Sequence, residues 1–372
     1  MYSMGIIGLP NVGKSTLFNA LTKAAALAAN YPFCTIEPNI GIVPIPDQRL
    51  REIGKVMQPE KLTPAAIEFI DIAGLVRGAS RGEGLGNQFL GHVREVDALV
   101  HVIRCFADDN VSHVEGDLAA LRDRDIVQTE LLLADLQTLE RRREKASRYL
   151  KTGEERYKAE LKLVDYLMEQ LNQGIAARNL ELKEDDQALL SEFRLLTSLP
   201  VLYCANVSAE ELADIIAGDG SGPCSRHYEE LKAVADEEGS GCIAIAAQLE
   251  AELQELDDDE RQEFLTELGI PNSGLDRLVR AAYQQLDLVT FYTVKGPETR
   301  AWLIPRGTKA PQAAGRIHSD MERGFIRAEV LSAADLIELG SFARAREVGT
   351  LRSEGKEYVV QDGDVMLIRF NV

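Results

Sequence analysis

Nine residues near the start of the chain, Gly8-Leu-Pro-Asn-Val-Gly-Lys-Ser-Thr16, carry the most explicit chemistry. Gly8, Gly13, Lys14 and Ser15 fall on the spacing G-x-x-x-x-G-K-[ST]. Glycines let the main chain wrap so that successive N–H groups face phosphate oxygens. A helix that opens at this point adds the partial positive charge of its N-terminus. The Lys14 ammonium would rest on the outer phosphates, and the Ser15 hydroxyl would ligate Mg²⁺. Asn11, Val12, Gly13, Lys14, Ser15 and Thr16 are therefore the candidate nucleotide-binding residues of the loop. Residues 4–7 before it are an apolar run and residues 17–21 after it are amphipathic. The loop thus joins a strand to a helix, as a nucleoside triphosphate site requires. The bland alternative is a chance match in a glycine-containing turn.

Such a site needs a second group on the metal side and a donor that senses the γ-phosphate. Asp71-Ile-Ala-Gly74 supplies both, because it follows the apolar run 66–70 and so stands at a strand's carboxyl end. The Asp71 carboxylate would reach Mg²⁺ through water, and the Gly74 N–H would bond the γ-phosphate. Thr35, in the unpatterned loop 30–38, would add a second hydroxyl to Mg²⁺ while the γ-phosphate is present. A loop threonine bonding its own backbone is the alternative there. Leu75 and Val76 follow Gly74, where a glutamine could orient the attacking water and leucine cannot. Hydrolysis must then use another group, a bound cation or a partner. His113, in the polar loop 107–116 beyond the apolar run 98–104, is the internal candidate, set against a plain surface histidine. Lys14, Gly74 and His113 are thus the catalytic candidates, and Ser15, Thr35 and Asp71 the metal ligands. Four glycines within 78–86 suit a nucleotide-sensing switch.

Base recognition falls at Asn206, after the apolar run 200–205, where GTPases place N-K-x-D. The fourth position is Ala209, which can accept no hydrogen bond, and Glu210 comes one residue late. Losing a bidentate acceptor removes most discrimination for guanine, so adenine is favoured over guanine.

Six β-like runs, 4–7, 40–45, 66–70, 98–104, 200–205 and 242–246, alternate with helix-like segments. Most are continuous apolar strings, as in strands buried on both faces of a parallel sheet. The expected fold is α/β, a doubly wound, mostly parallel sheet. Residues 126–197 break the pattern with charged helical sequence and leucine-type residues at helical spacing, and predict two long antiparallel helices turning at Thr152-Gly153. From about 288 short alternating strands predict a compact α+β module. The expected division is 1–125 with 198–287, the inserted arm 126–197, and 288–372.

Net charge is −19, which argues against general DNA or RNA binding. One local exception surrounds the expected arm turn, where Arg141, Arg142, Arg143, Lys145, Arg148, Lys151, Arg156, Lys158 and Lys162 cluster. That tip is either an RNA or partner contact or a solvated helix face. No apolar run approaches the ~20 residues that span a bilayer, and no basic leader precedes the first strand. Five scattered cysteines without C-x-x-C spacing suggest neither a disulfide framework nor a zinc site. A reducing cytoplasm fits.

Together these residues resemble the Obg-like ATPases of the YchF type, P-loop proteins of the translation-factor class. The resemblance rests on the loop 8–16, Asn30-Tyr-Pro-Phe33, Asp71-Ile-Ala-Gly-Leu75 and Gly82-Glu-Gly-Leu-Gly-Asn-Gln-Phe-Leu90. It continues through Arg104-Cys-Phe106, Arg300-Ala-Trp302, Arg323-Gly-Phe-Ile-Arg-Ala-Glu329 and Asp362-Gly-Asp364. It implies ATP preferred over GTP, Mg²⁺, a C-terminal TGS domain of β-grasp type, and association with the ribosome or its large subunit. It implies further that a hydrophobic residue at Leu75 replaces glutamine, that His113 matches the proposed catalytic histidine, and that Asn11 matches an asparagine that holds K⁺ in cation-stimulated relatives. The family's N-x-x-E is absent, since this chain reads Asn206-Val-Ser-Ala209. Either Glu210 substitutes, or backbone groups near Val207 hold the base. Three functions follow as alternatives: an ATPase switch, a GTPase of the same architecture, or a nucleotide-gated binding module.

Overall fold

The structure is a computed structural model that describes residues 1–28, 39–72, 85–108, 116–150 and 155–371. Along the chain the first elements are β1 (Tyr2–Ile7), α1 (Lys14–Ala28), β2 (Ile40–Pro44), α2 (Gln48–Met57), β3 (Lys61–Thr63), β4 (Ala66–Asp71), α3 (Leu85–Val93) and β5 (Ala98–Arg104). Next come α4 (Ala120–Tyr149), α5 (Glu155–Asn172), α6 (Glu184–Phe193), β6 (Val201–Asn206), α7 (Ala209–Ala217), α8 (Pro223–Glu237) and β7 (Gly241–Ile245). Helices α9 (Ala247–Leu253), α10 (Asp258–Glu267) and α11 (Gly274–Gln285) follow. The remainder is β8 (Leu288–Lys295), β9 (Glu298–Pro305), α12 (Ala310–Ile317), α13 (Ser319–Arg323), β10 (Phe325–Ser332), α14 (Ala333–Leu339), α15 (Phe342–Val348), β11 (Arg352–Glu354) and β12 (Asp364–Phe370).

One compact unit includes Met1–Leu27 and Glu68–Gln285; the other includes Ile42–Ile67 and the chain from Leu286 onward. One sheet has the order β2-β4-β1-β5-β6-β7; its strands β1, β5, β6 and β7 lie in the first unit and run parallel. All six strands coincide with the six expected apolar runs. Every residue of β5 and β6 is buried, which is why those runs show no polar alternation.

The arm departs from two long helices. Helix α4 spans 30 residues, but α5 stops at Asn172 and a third helix, α6, follows. Leu132, Leu139, Leu163, Val164, Leu167, Leu171 and Phe193 form its apolar seam, so α6 caps the pair rather than extending it. The Thr152-Gly153 turn lies outside the described residues. At its base the arm is tied to the sheet. Tyr203 on β6 donates its hydroxyl to Glu238 (2.8 Å), and Arg124 of α4 and Arg178 both donate to the same carboxylate. Burial and these two guanidinium groups hold the neighbouring His101 neutral, with its pKa down to about 3.

Helix α10 begins on a capping box between Asp257 and Glu260. In the second unit the sheet order is β11-β10-β12-β8-β9-β3. Tyr358–Val360, with the β-branched and aromatic make-up of a strand, makes only an isolated bridge from Val359 to Lys309, whereas the polar Arg352–Glu354 is a strand. Its core packs α12 through Ala310, Ala313 and Ala314 onto Phe291, Ile304, Ala328, Val330 and Met366.

Candidate nucleotide site

Strand β1 ends at Ile7 and helix α1 begins at Lys14, so the loop between them sits at the carboxyl edge of the parallel sheet. Gly8 has φ +149°, and a Cβ there would lie 2.4 Å from the Val102 carbonyl oxygen. Gly13 has φ +97°, and a Cβ there would lie 2.3 Å from Asn206 Nδ2. Both positions need glycine for sign of φ and for space. Asn11 turns the loop in the left-handed region at φ 62°. No acidic residue stands in the first turn of α1, which leaves its positive end available to an anion.

Lys14 is 7% exposed, and its Nζ donates to the Leu9 carbonyl at 2.7 Å. Burial pulls its pKa down to about 8, with Asp71 pulling the other way. The ammonium is therefore held at the loop in a poorly solvated place. An arriving polyphosphate would supply the counter-charge that burial denies it.

Asp71 stands at the end of β4, next to β1 in the sheet. Its Oδ2 accepts from the Ser15 hydroxyl at 3.2 Å. Its Oδ1 is buried with no hydrogen-bond partner among the described residues. Burial raises its pKa, against the Ser15 hydrogen bond and the Lys14 charge. A buried carboxylate oxygen without a donor is costly unless a cation satisfies it. An unsatisfied Oδ1 on a carboxylate whose Oδ2 already meets the serine hydroxyl at the helix start suits a hard divalent cation such as Mg²⁺.

Asn206 is 3% exposed and does two jobs. Its Nδ2 donates to the Val12 carbonyl (2.9 Å), and its Oδ1 accepts from the Ala247 N–H (3.0 Å). It therefore fastens the loop to the start of α9, a role the sequence spacing alone does not reveal. The Val207 N–H is spent on the Ile245 carbonyl at 2.8 Å. Ala209 and Glu210 are exposed at the start of α7. Glu211 caps α8, accepting from the N–H groups of Cys224 and Ser225.

The structure brings together Asn11, Val12, Gly13, Lys14, Ser15, Thr16, Asp71, Asn206 and Val207. Thr35, Gly74, Leu75 and His113 lie outside the described residues. Sequence alone assigns no role to Arg104, which is buried at the end of β5. It donates to the Phe106 and Asp108 carbonyls (3.0 and 3.2 Å) and so shapes the exit of the segment that leads to His113. Its signal in the sequence was only an arginine closing an apolar run.

A parallel sheet feeding a glycine-wrapped lysine into a helix, with a carboxylate from the adjoining strand on the first helical hydroxyl, defines a P-loop nucleoside triphosphatase. Residues 3–135 match a family described as 50S ribosome-binding GTPase. Residues 288–371 match YchF-GTPase_C, described as a protein of unknown function. The chain is 49% identical over 368 residues to the ribosome-binding ATPase YchF of Bacillus subtilis, covering 99% of each. It is 47% identical over 371 residues to the protein of that name in Escherichia coli O157:H7, covering 100% of this chain and 99% of the relative. The solved structure of the Schizosaccharomyces pombe YchF GTPase superposes with a TM-score of 0.86 at 33% identity, covering 99% of this chain and 97% of that one. The chain belongs to the YchF family.

Proposed function

We propose that this chain binds ATP with Mg²⁺, hydrolyses it slowly, and signals its nucleotide state to the ribosome, as the names of its ribosome-binding relatives suggest. Asp71 carries the reading, with one oxygen on the Ser15 hydroxyl and the other buried without a donor. Thr35 completes the metal side. Mg²⁺, when bound, neutralises charge on the phosphate oxygens. The chain's own groups do the rest. Amides of residues 11–16 hold the phosphates, Lys14 exchanges the Leu9 carbonyl for a phosphate oxygen, and the Gly74 N–H reads the γ-phosphate. His113 positions the attacking water, because Leu75 cannot. Asn11 is the candidate K⁺ ligand. Turnover without a partner is slow, since no glutamine orients the water.

Adenine is favoured because Ala209 offers no acceptor and Glu211 is committed to α8. Asn206, the Val207 carbonyl and the exposed Glu210 frame the base side. The second reading, GTP as substrate, is favoured by the Schizosaccharomyces pombe relative, which is called a GTPase. Calorimetric titration with non-hydrolysable ATP and GTP analogues, with Mg²⁺ and in K⁺ or Na⁺, separates the two. ATP should bind more tightly, and tighter GTP binding would overturn the assignment.

For the ribosome, the arm and the C-terminal unit are the proposed contacts, and the cytoplasm the place of action. Several arm cations are already paired, Arg142 with Glu160, Arg143 with Asp165 and Arg156 with Glu192. Replacing Arg141, Lys145 and Lys162 with glutamine should therefore weaken ribosome co-sedimentation most at low salt. Unchanged sedimentation would make the tip a solvated face.

A further inference from the structure

Strands β12 and β8 of the second unit run parallel but register at one pair, Val365 with Tyr292, among the described residues. By contrast β12 follows β10 through seven pairs and β8 follows β9 through eight. Residues just past the single pair, on both strands, line a cleft of about 280 Å³. Its apolar lining includes Trp302, Ile317, Met321, Met366 and Ile368, and Thr293, Glu298, Arg300 and Arg369 line its polar side, Arg369 being paired with Glu329 at 3.2 Å. The Trp302 indole is fixed from two directions. Its Nε1 donates to Thr293 Oγ1 at 2.9 Å, and Phe291 lies nearly parallel to it at 6.4 Å between centroids.

Arg300 lies across the indole, its guanidinium carbon 4.1 Å from the ring centroid. That contact orients the group but uses none of its five N–H donors. No hydrogen bond or ion pair reaches Arg300 among the described residues. Glu298, two residues away on the same strand, is occupied by the Thr63 hydroxyl and by Lys61 at 3.5 Å. The cleft thus combines an apolar slot with a pre-oriented cation, Arg300, whose N–H donors make no hydrogen bond among the described residues, although its charge also acts on Glu298 on the same wall, the pattern of a small-molecule site.

We propose that this cleft binds a small monocarboxylic acid with an aromatic or branched apolar body. The body fills the slot, and the carboxylate receives the free N–H edge of Arg300. The protein's net charge of −19 repels polyanions, so burial of the body supplies most of the affinity. This site is independent of the nucleotide assignment.

The chain contains a single tryptophan, so its fluorescence reports on the cleft directly. The full chain is titrated with 4-phenylbutyrate, with its neutral amide and with butyrate. Phenylbutyrate should give a saturable change with a dissociation constant on the order of 0.1–1 mM. The amide should bind about tenfold more weakly, and butyrate more weakly still. Arg300→Gln should abolish the preference for acid over amide and leave ATP binding unchanged. No saturable response to phenylbutyrate up to about 10 mM, or equal affinity for acid and amide, overturns the proposal. The acid–amide comparison needs only the unaltered chain, so it decides the matter even where a variant fails to fold.

Discussion

The two units treat charge in opposite ways. At the nucleotide edge, among the described residues, Lys14 is buried against the Leu9 carbonyl and Asp71 keeps an oxygen without a donor. In the second unit, Asp47 caps α2 and accepts from the Arg49 side chain (3.0 Å) and from the Tyr292 hydroxyl. Arg49 reaches on to Asp362 (2.7 Å), whose other oxygen accepts from the Thr290 N–H (2.8 Å). Burial and the Asp47 hydrogen bond push the Tyr292 hydroxyl's pKa up. Every member of the second network is answered from within. The first leaves a valence open, and that open valence marks where the fold expects a ligand.

The largest effect should come from Lys14→Ala. Triphosphate affinity measured by calorimetry should fall by roughly 100-fold or more, since a buried charge-assisted contact is lost. Binding within tenfold of the unaltered chain would remove Lys14 from the site. Asp71→Asn comes next. Mg²⁺-dependent tightening of ATP binding should shrink by about tenfold or more. Because burial raises the pKa of Asp71 in the folded chain, its ionised form costs stability at neutral pH, and that cost appears as pH rises through the folded pKa. The ligand-free Asn variant should therefore melt no lower than the parent at pH 7. A clear loss of melting temperature would mean that the carboxylate is structural.

Asn206→Ala removes the bonds to Val12 and Ala247, and should weaken ATP binding about tenfold while lowering thermal stability. A purely base-side role would spare stability. A smaller effect is protonic. Lys14 titrates near 8 in the empty fold against 10.5 unfolded, so fold stability rises with pH between those values. Triphosphate holds the proton on, so binding above about pH 8 should take up as much as one proton. Calorimetry in buffers of different ionisation enthalpy reads this uptake, and none at pH 9 would contradict the burial argument. Smallest at the nucleotide should be Asp47→Ala. It should cost the second unit about 1–3 kcal/mol, because the partners of Asp47 lose their acceptor, and leave ATP affinity unchanged.

Much of this was legible from sequence because it is local. The loop 8–16 states its spacing outright, and the six strands of the first sheet announce themselves as mostly apolar runs. What escaped depends on distant partners. Lys61–Thr63 is three residues long and becomes a strand only by pairing with Glu298–Arg300. Arg352–Glu354 is polar and reads as a loop, yet it pairs along the edge of β10. Tyr358–Val360 has the composition of a strand but finds no ladder. The position of Asn206 was readable; its clamp between Val12 and Ala247 required three segments to converge.

That pairing of β3 with β9 has a consequence during synthesis. The hydroxyl of Thr63 meets Glu298 across a separation of 235 residues. At about 5–20 residues per second, the early segment must wait on the order of tens of seconds for its neighbours to emerge. Throughout that interval a nascent edge strand and the apolar side of α2 stand bare. A translating chain halted before residue 300 should accordingly be the most protease-sensitive and aggregation-prone form of this protein.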